Sequence, residues 1–288
     1  IPVGDVIDIS NTSEGYAWSL TAQLQRPVRA GWGFSTAYTF SDAFDVNRGG
    51  SSQAISNWRF NPNAGDPNNL PAARSNFVIR HRVLASATRE LSLVDRFPTL
   101  VSLIWVGESG QRYTFVYAGD ANGDGQVEND LIWVPASQGE VRFLENGSGA
   151  VTNQPALSAA QSWENLNRFI ERTPCLREAR GRIIDRGACQ EPWSNRIDLR
   201  IGQEFPTFGS QRAEITLDIL NVGNLLNERW GRREFVSNEA FPLISIRDRN
   251  NVENGRVLMN PFNPLSSPNS VSDLASRYQM QLGVRYTF

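Results

Sequence analysis

Apolar and polar residues take turns one by one along much of this chain. That is the period at which successive strand side chains face opposite ways. The clearest case is SRYQMQLGVRYTF. Tyr278, Met280, Leu282, Val284, Tyr286 and Phe288 fall on one side; Arg277, Gln279, Gln281, Gly283, Arg285 and Thr287 fall on the other. In EGYAWSLTAQLQ, Tyr16, Trp18, Leu20, Ala22 and Leu24 share a face opposite Ser19, Thr21, Gln23 and Gln25. In GWGFSTAYTFS, Trp32, Phe34, Tyr38 and Phe40 oppose Gly33, Ser35, Ala37, Thr39 and Ser41. SNFVIRHRVLASATREL predicts a third strand, and TLVSLIWVGESGQRYTFVY a fourth with a kink between Gly107 and Gly110. NRIDLRIGQEF and RAEITLDIL add two more, so the terminal strand is the seventh. Strands of roughly 10 residues are long enough to cross a bilayer when tilted.

The connections alternate in length. RPVRA, a turn near Asp95 and PTFGS are short, whereas the stretches of about 44–74, 119–192 and 228–275 are long. A structureless loop of more than ~15 residues is uncommon in a compact domain. Membrane barrels of the outer-membrane type have short periplasmic turns and long extracellular loops. With Phe288 at the periplasmic end, the direction of every strand follows. Seven is not a closing number, because single-chain bacterial barrels have an even count of at least 8. Either this is part of a larger barrel, or an eighth strand comes from residues 1–12, where VIDIS stands. The longest loop also predicts a helix, LSAAQSWENLNRFIERT. Ser158 is its N-cap and Gln161 the capping-box partner, and Trp163, Leu166, Phe169 and Ile170 form a stripe that packs the loop onto itself.

Composition narrows the classes. In 288 residues with mean hydropathy −0.38 there is no apolar run long enough for a membrane helix. A barrel escapes that test because half of each strand faces lumen. All 28 basic residues are Arg, and a net charge of −2 leaves no nucleic-acid footprint. Ile1 is read as the start of a processed chain or of a piece of one.

Four features carry possible chemistry. In GDANGDGQVENDLIWVP, Asp120, Asn122 and Asp124 occupy positions 1, 3 and 5 of a calcium-type loop, with Gly125 at 6. The Gln126 carbonyl and Glu128 take positions 7 and 9. Leu131 stands where a bidentate Glu belongs, and Asp130, one residue early, substitutes for it. Ca2+ is therefore the one cofactor expected, against the alternative of an Asp/Asn/Gly turn held by its own backbone. Cys175 and Cys189 are the only cysteines, and a disulfide is expected in an oxidising compartment. Arg80 and Arg82 are expected on the lumen face, paired with carboxylates, and His81, the only histidine, on the lipid side. Trp58, Trp133, Trp163 and Trp230 are loop aromatics available for packing or for stacking on a ligand. No GxSxG, HExxH or phosphate loop occurs, and no enzymatic activity is expected.

Four segments in this order, GDANGDGQVENDLIWVP, CLREARGRIIDRGACQEPW, DILNVGNLLNERWG and SRYQMQLGVRYTF, resemble the C-terminal half of TonB-dependent outer-membrane receptors of the Oar-like group, which carry a carboxypeptidase-regulatory-like N-terminal domain. The resemblance implies an all-β, antiparallel transmembrane barrel of 22 strands in the bacterial outer membrane. Residues 1–288 would supply the C-terminal part of that one barrel domain, and the plug would lie outside this chain. It implies ligand uptake through the extracellular loops, energised by TonB acting on the plug. Its partners would be outer-membrane lipid, upstream strands and plug, the TonB system, and a barrel-assembly machinery that reads the terminal aromatic strand from Tyr278 to Phe288. The alternatives are a structural or adhesive barrel scaffold and a small self-contained barrel.

Overall fold

The computed structural model describes residues 6–94, 97–146, 156–263 and 267–288. In chain order, the elements that position the sites are β1 (Tyr16–Arg29), β2 (Trp32–Asp45), β3 (His81–Val94), β4 (Phe97–Glu108), β5 (Arg112–Ala118), α1 (Ala159–Arg172), α2 (Pro174–Glu178), β6 (Ser194–Pro206), β7 (Arg212–Leu220), α3 (Val222–Leu226), β8 (Ala240–Glu253), β9 (Arg256–Met259) and β10 (Gln279–Thr287).

The seven alternating segments do form one antiparallel sheet, in the order β1-β2-β3-β4-β6-β7-β10, and the short piece Ala73–Arg74 pairs with the end of β2. Register keeps the two faces separate. Val101, Ile201, Leu217 and Leu282 align across four strands on the apolar face, and Leu20, Phe40 and His81 align across three. The opposite face carries hydroxyl pairs, Thr21–Thr39 and Thr88–Ser102, each at 2.9 Å. It also carries the ion pairs Arg82–Glu108 (3.7 Å), Arg196–Asp198 (3.2 Å) and Arg200–Asp218 (3.5 Å). Arg82 thus has the carboxylate partner expected of it. His81 lies on the apolar face and receives or donates a 2.8 Å hydrogen bond with Tyr38 through Nδ1. Among the described residues β1 and β10 form no ladder with each other, so the sheet is open.

Several expectations need correction. The fourth segment is not one bent strand. β4 ends at Glu108 and β5 starts at Arg112, and β5 leaves the long sheet altogether. The close approach there needs glycine: a Cβ on Gly110 would lie 2.3 Å from the Glu191 carbonyl oxygen. The third strand starts at His81, not in the SNFVI segment. The long connections therefore run wider than expected, over 46–80, 109–193 and 221–278. VIDIS (residues 6–10) forms no strand, while residues 1–5 and the turn at Asp95 lie outside the described residues.

The three long connections form a second structure at one end of the sheet. Its centre is a smaller sheet in which β5 pairs in parallel with β8, and β8 pairs with β9. Tyr113, Thr114, Phe115 and Val116 of β5 are all buried. A strand covered on both faces has no reason to alternate. α1 docks Leu166, Phe169 and Ile170 against it. The helix starts as expected: the Ser158 hydroxyl accepts from the Gln161 amide (3.1 Å), and the Gln161 side chain accepts from the Ser158 amide (2.9 Å). The disulfide also forms, joining Cys175 on α2 to Cys189, with 5.3 Å between the Cα atoms.

Candidate functional site

The loop assembly combines the acidic turn, several buried polar groups and two cavities. The turn at 120–130 is closed by its own main chain. Asp120 accepts from the amides of Gly123 (2.6 Å) and Gly125 (3.1 Å) through different oxygens. Asp124 accepts from Gln126 (2.7 Å), and the Asn122 side-chain oxygen accepts from the Asp124 amide (2.9 Å). Asp130 accepts from Ala121 (2.7 Å) and Asn122 (3.4 Å) through Oδ2, while its buried Oδ1 has no hydrogen-bond partner. Burial pushes the Asp130 pKa up, and the neighbouring charges of Asp124 and Asp120 add to that. Arg249 reaches in from β8 and pairs with Asp120.

The sequence-predicted calcium residues are thus partly brought together. Asp120, Asn122, Asp124 and Asp130 line one turn. Glu128 is held at φ +61°, a left-handed conformation. Gln126 contributes its amide to Asp124. Among the described residues no three His, Cys, Asp or Glu side chains stand close enough to hold a metal. A cation here would also need Asn122 and main-chain oxygens.

Three charged groups had no signal in the sequence. Arg186 is 7% exposed and ties the 109–193 connection to the end of β2. Its guanidinium pairs with Asp45 at 2.9 Å and donates to the Asn61 side-chain oxygen at 3.1 Å. Glu191, also buried, accepts from the amides of Val236 (2.8 Å) and Gln111 (3.2 Å), and burial raises its pKa. Arg112 is buried beside Arg74 and Arg80; burial first, then those two positive charges, lowers its pKa. The nearby Tyr113 phenol is pushed up to about 12, by burial and then by Glu191. All three charged groups sit in ordinary polar contexts in the sequence, and only tertiary packing encloses them.

Two cavities in the loop assembly are each large enough for a small ligand. One, of about 600 Å³, is walled by Tyr117, Trp133, Glu140, Ile246, Arg256 and Met259. The other, of about 440 Å³, has Pro71, Arg74, Ile184 and Arg186 in its walls. Of the loop tryptophans, Trp133 donates to Glu140 (2.9 Å) and Trp58 to Asn68 (3.0 Å). Trp163 packs on the loop core, and Trp230 remains 56% exposed. Such pockets, apolar with a few fixed polar groups, suit binding.

No curated protein and no solved structure matches the chain. A family model described as outer membrane beta barrel domain matches residues 3–257. That match, over an antiparallel sheet with one apolar and one polar face and all long connections at one end, shows that this chain belongs to the outer-membrane β-barrel domain family and resides in the bacterial outer membrane.

Proposed function

We propose that the chain is the C-terminal barrel region of a TonB-dependent receptor of the Oar-like group, which binds ligand in its extracellular loop assembly for energised uptake. The observation that carries this reading is the open sheet. β1 is solvent-exposed on both faces, as is most of β10. In lipid each unpaired backbone group costs several kcal/mol, so these edges need further strands. A larger barrel supplies them and encloses space for a plug. The packed loop assembly with its two cavities is the ligand-binding part. The test is chemical cross-linking in intact cells, followed by purification of the protein from outer membranes. A covalent adduct with TonB is expected, absent when TonB is deleted. No adduct, together with a mass showing no residues beyond this chain, would overturn the reading.

We also propose that the 120–130 turn takes calcium, with Asp120, Asp124, Asp130 and Asn122 drawing together as Arg249 gives up its pairing with Asp120. The support is the placement of Asp120, Asp124 and Asp130 on one turn and the buried, unpartnered Asp130 Oδ1. Extracellular calcium modules bind with Kd of about 10⁻⁴–10⁻³ M. At ~10 mM Ca2+ the amides of residues 121–126 should therefore exchange about 10- to 100-fold more slowly. Asp124→Asn keeps an acceptor for the Gln126 amide but removes the charge, and should abolish the protection. Equal exchange in calcium and in chelator would sink this proposal without touching the receptor reading.

A further inference from the structure

The apolar face of the long sheet ends, on the loop side, in a groove that is not part of the loop cavities. Trp193, Asn195 and Ile197 occupy alternate positions at the start of β6 and so share that face. Ile197 aligns with Trp105 of β4. The Asn195 side-chain oxygen accepts from both indoles, Trp105 at 3.2 Å and Trp193 at 3.0 Å, which fixes the two rings side by side. Across the groove the chain leaves β7 through α3. Trp230 is 56% exposed there, a degree of apolar exposure that water disfavours. The groove holds about 470 Å³, and Arg229 and Arg232 line it beside Trp193 and Trp230.

This groove continues the lipid-facing surface, so what covers it is the outer leaflet. Indoles at the end of an apolar strand mark the level of the headgroups. Arginines beside them reach the same level with their stems on apolar surface. Arg229 and Arg232 make no ion pair among the described residues; Arg232 spends its Nε on the Glu228 carbonyl at 3.1 Å. The carboxylate in the groove, Glu234, already accepts from the Asn269 side chain at 3.2 Å. Free guanidinium donors next to rigid indoles fit a phosphate on a lipid headgroup.

We propose that this groove is a binding site for a phosphorylated lipid headgroup of the outer leaflet, with Arg229 and Arg232 on the phosphate and Trp193 and Trp230 against the glycan and acyl boundary. It stands on membership of the barrel family and is independent of the receptor reading. The test uses the protein as extracted from outer membranes, placed in phosphatidylcholine nanodiscs containing lipid A or its dephosphorylated form. Binding is read by native mass spectrometry. Lipid A should bind, the dephosphorylated form should bind far less, and the double variant Arg229→Gln/Arg232→Gln should bind lipid A about 30-fold more weakly, from two lost contacts near the surface. Millimolar inorganic phosphate should not compete. Equal binding of both lipids, unchanged binding by the double variant, or full competition by inorganic phosphate would each overturn the proposal. Both arginines are exposed, so the variant should fold, and an unchanged melting temperature confirms that it has. Should it misfold, the comparison of the two lipids on the unaltered protein still decides.

Discussion

Arg186→Ala should loosen the extracellular assembly by about 3–5 kcal/mol, the usual cost of removing one partner of a buried charge pair. The side chain is only 5% accessible; it pairs with the Asp45 carboxylate and donates to two acceptors, the Asp45 carbonyl and the Asn61 side chain. Two of the three long connections meet there. Burial holds the guanidinium pKa below its ordinary value against the opposing pull of Asp45, and Arg48 adds to the lowering. The charge is tolerated because its partners are fixed in place. Without it, Asp45 and the fully buried Asn61 face each other with no donor between them. The effect should be local. The Asn63 amide donates to Asn129 and the Leu131 amide to Asn63, both at 2.8 Å, and these bonds join the same two connections. Their hydrogen exchange should speed up about 10²- to 10⁴-fold, while the amides of β7 and β10 keep their rates. Arg186→Met combined with Asp45→Asn should recover much of the loss, because the uncompensated carboxylate is then gone. If the double variant is no better than Arg186→Ala, the charge pair is not what holds the connections together.

How much of this was legible in the sequence depends on whether a signal was local. The seven membrane strands were legible because each buries one face only, in lipid, and exposes the other to lumen. Alternation is the direct imprint of that asymmetry. The α1 N-terminus was legible because Ser158 and Gln161 satisfy each other's amides without help from elsewhere. The pairing of Cys175 with Cys189 needed only that no other cysteine was available. β5 was misread because its neighbours are distant in sequence. Phe115 aligns with Phe241 in a parallel ladder, and YTFVY is covered on both sides, so its pattern matches a continuation of β4. The departure of the chain from the membrane sheet rests on Gly110, whose requirement shows only once Glu191 is seen against it. Arg186, Arg112 and Glu191 were invisible for the same reason: a charged residue in sequence carries no mark of whether folding will enclose it.

Four of the six residues expected to hold calcium, Asp120, Asn122, Asp124 and Asp130, close the acidic turn through their side chains. Asp120 and Asp130 each take two backbone amides, which is what short oxygen-bearing side chains do in turns without a metal. The same geometry places Leu131 and Ile132 next to β5, where the Tyr117 amide donates to Asp130 O at 2.9 Å. The turn therefore positions one wall of the 600 Å³ cavity whether or not it also holds a cation.

Phe115→Ala should cost the loop assembly about 3–5 kcal/mol. The ring is fully buried and lies edge-on to three others: Tyr113 at 5.4 Å, Phe169 at 5.9 Å and Phe241 at 5.9 Å between centroids. These contacts join β5 to α1 and to β8, so one side chain links residues drawn from all parts of the assembly except the 46–80 connection. Truncation leaves a cavity and removes aromatic pairs worth about 0.5–1.5 kcal/mol each beyond area burial. Phe115→Leu keeps most of the volume but loses the three aromatic pairs, and should cost less than Phe115→Ala yet more than about 1.5 kcal/mol. The two variants together separate filling from ring geometry. In Phe115→Ala, limited proteolysis should cut within 109–193 and 221–278 at protease levels that leave the parent intact, while the protein still migrates as a folded barrel on unheated gels. The barrel should survive because β6, β7 and β10 owe their pairing to the apolar face in lipid, where Phe115 makes no contact. Loss of the barrel itself would mean that the loop core and the sheet fold as one cooperative unit, and equal damage from Phe115→Leu would mean that ring packing, not volume, holds the assembly.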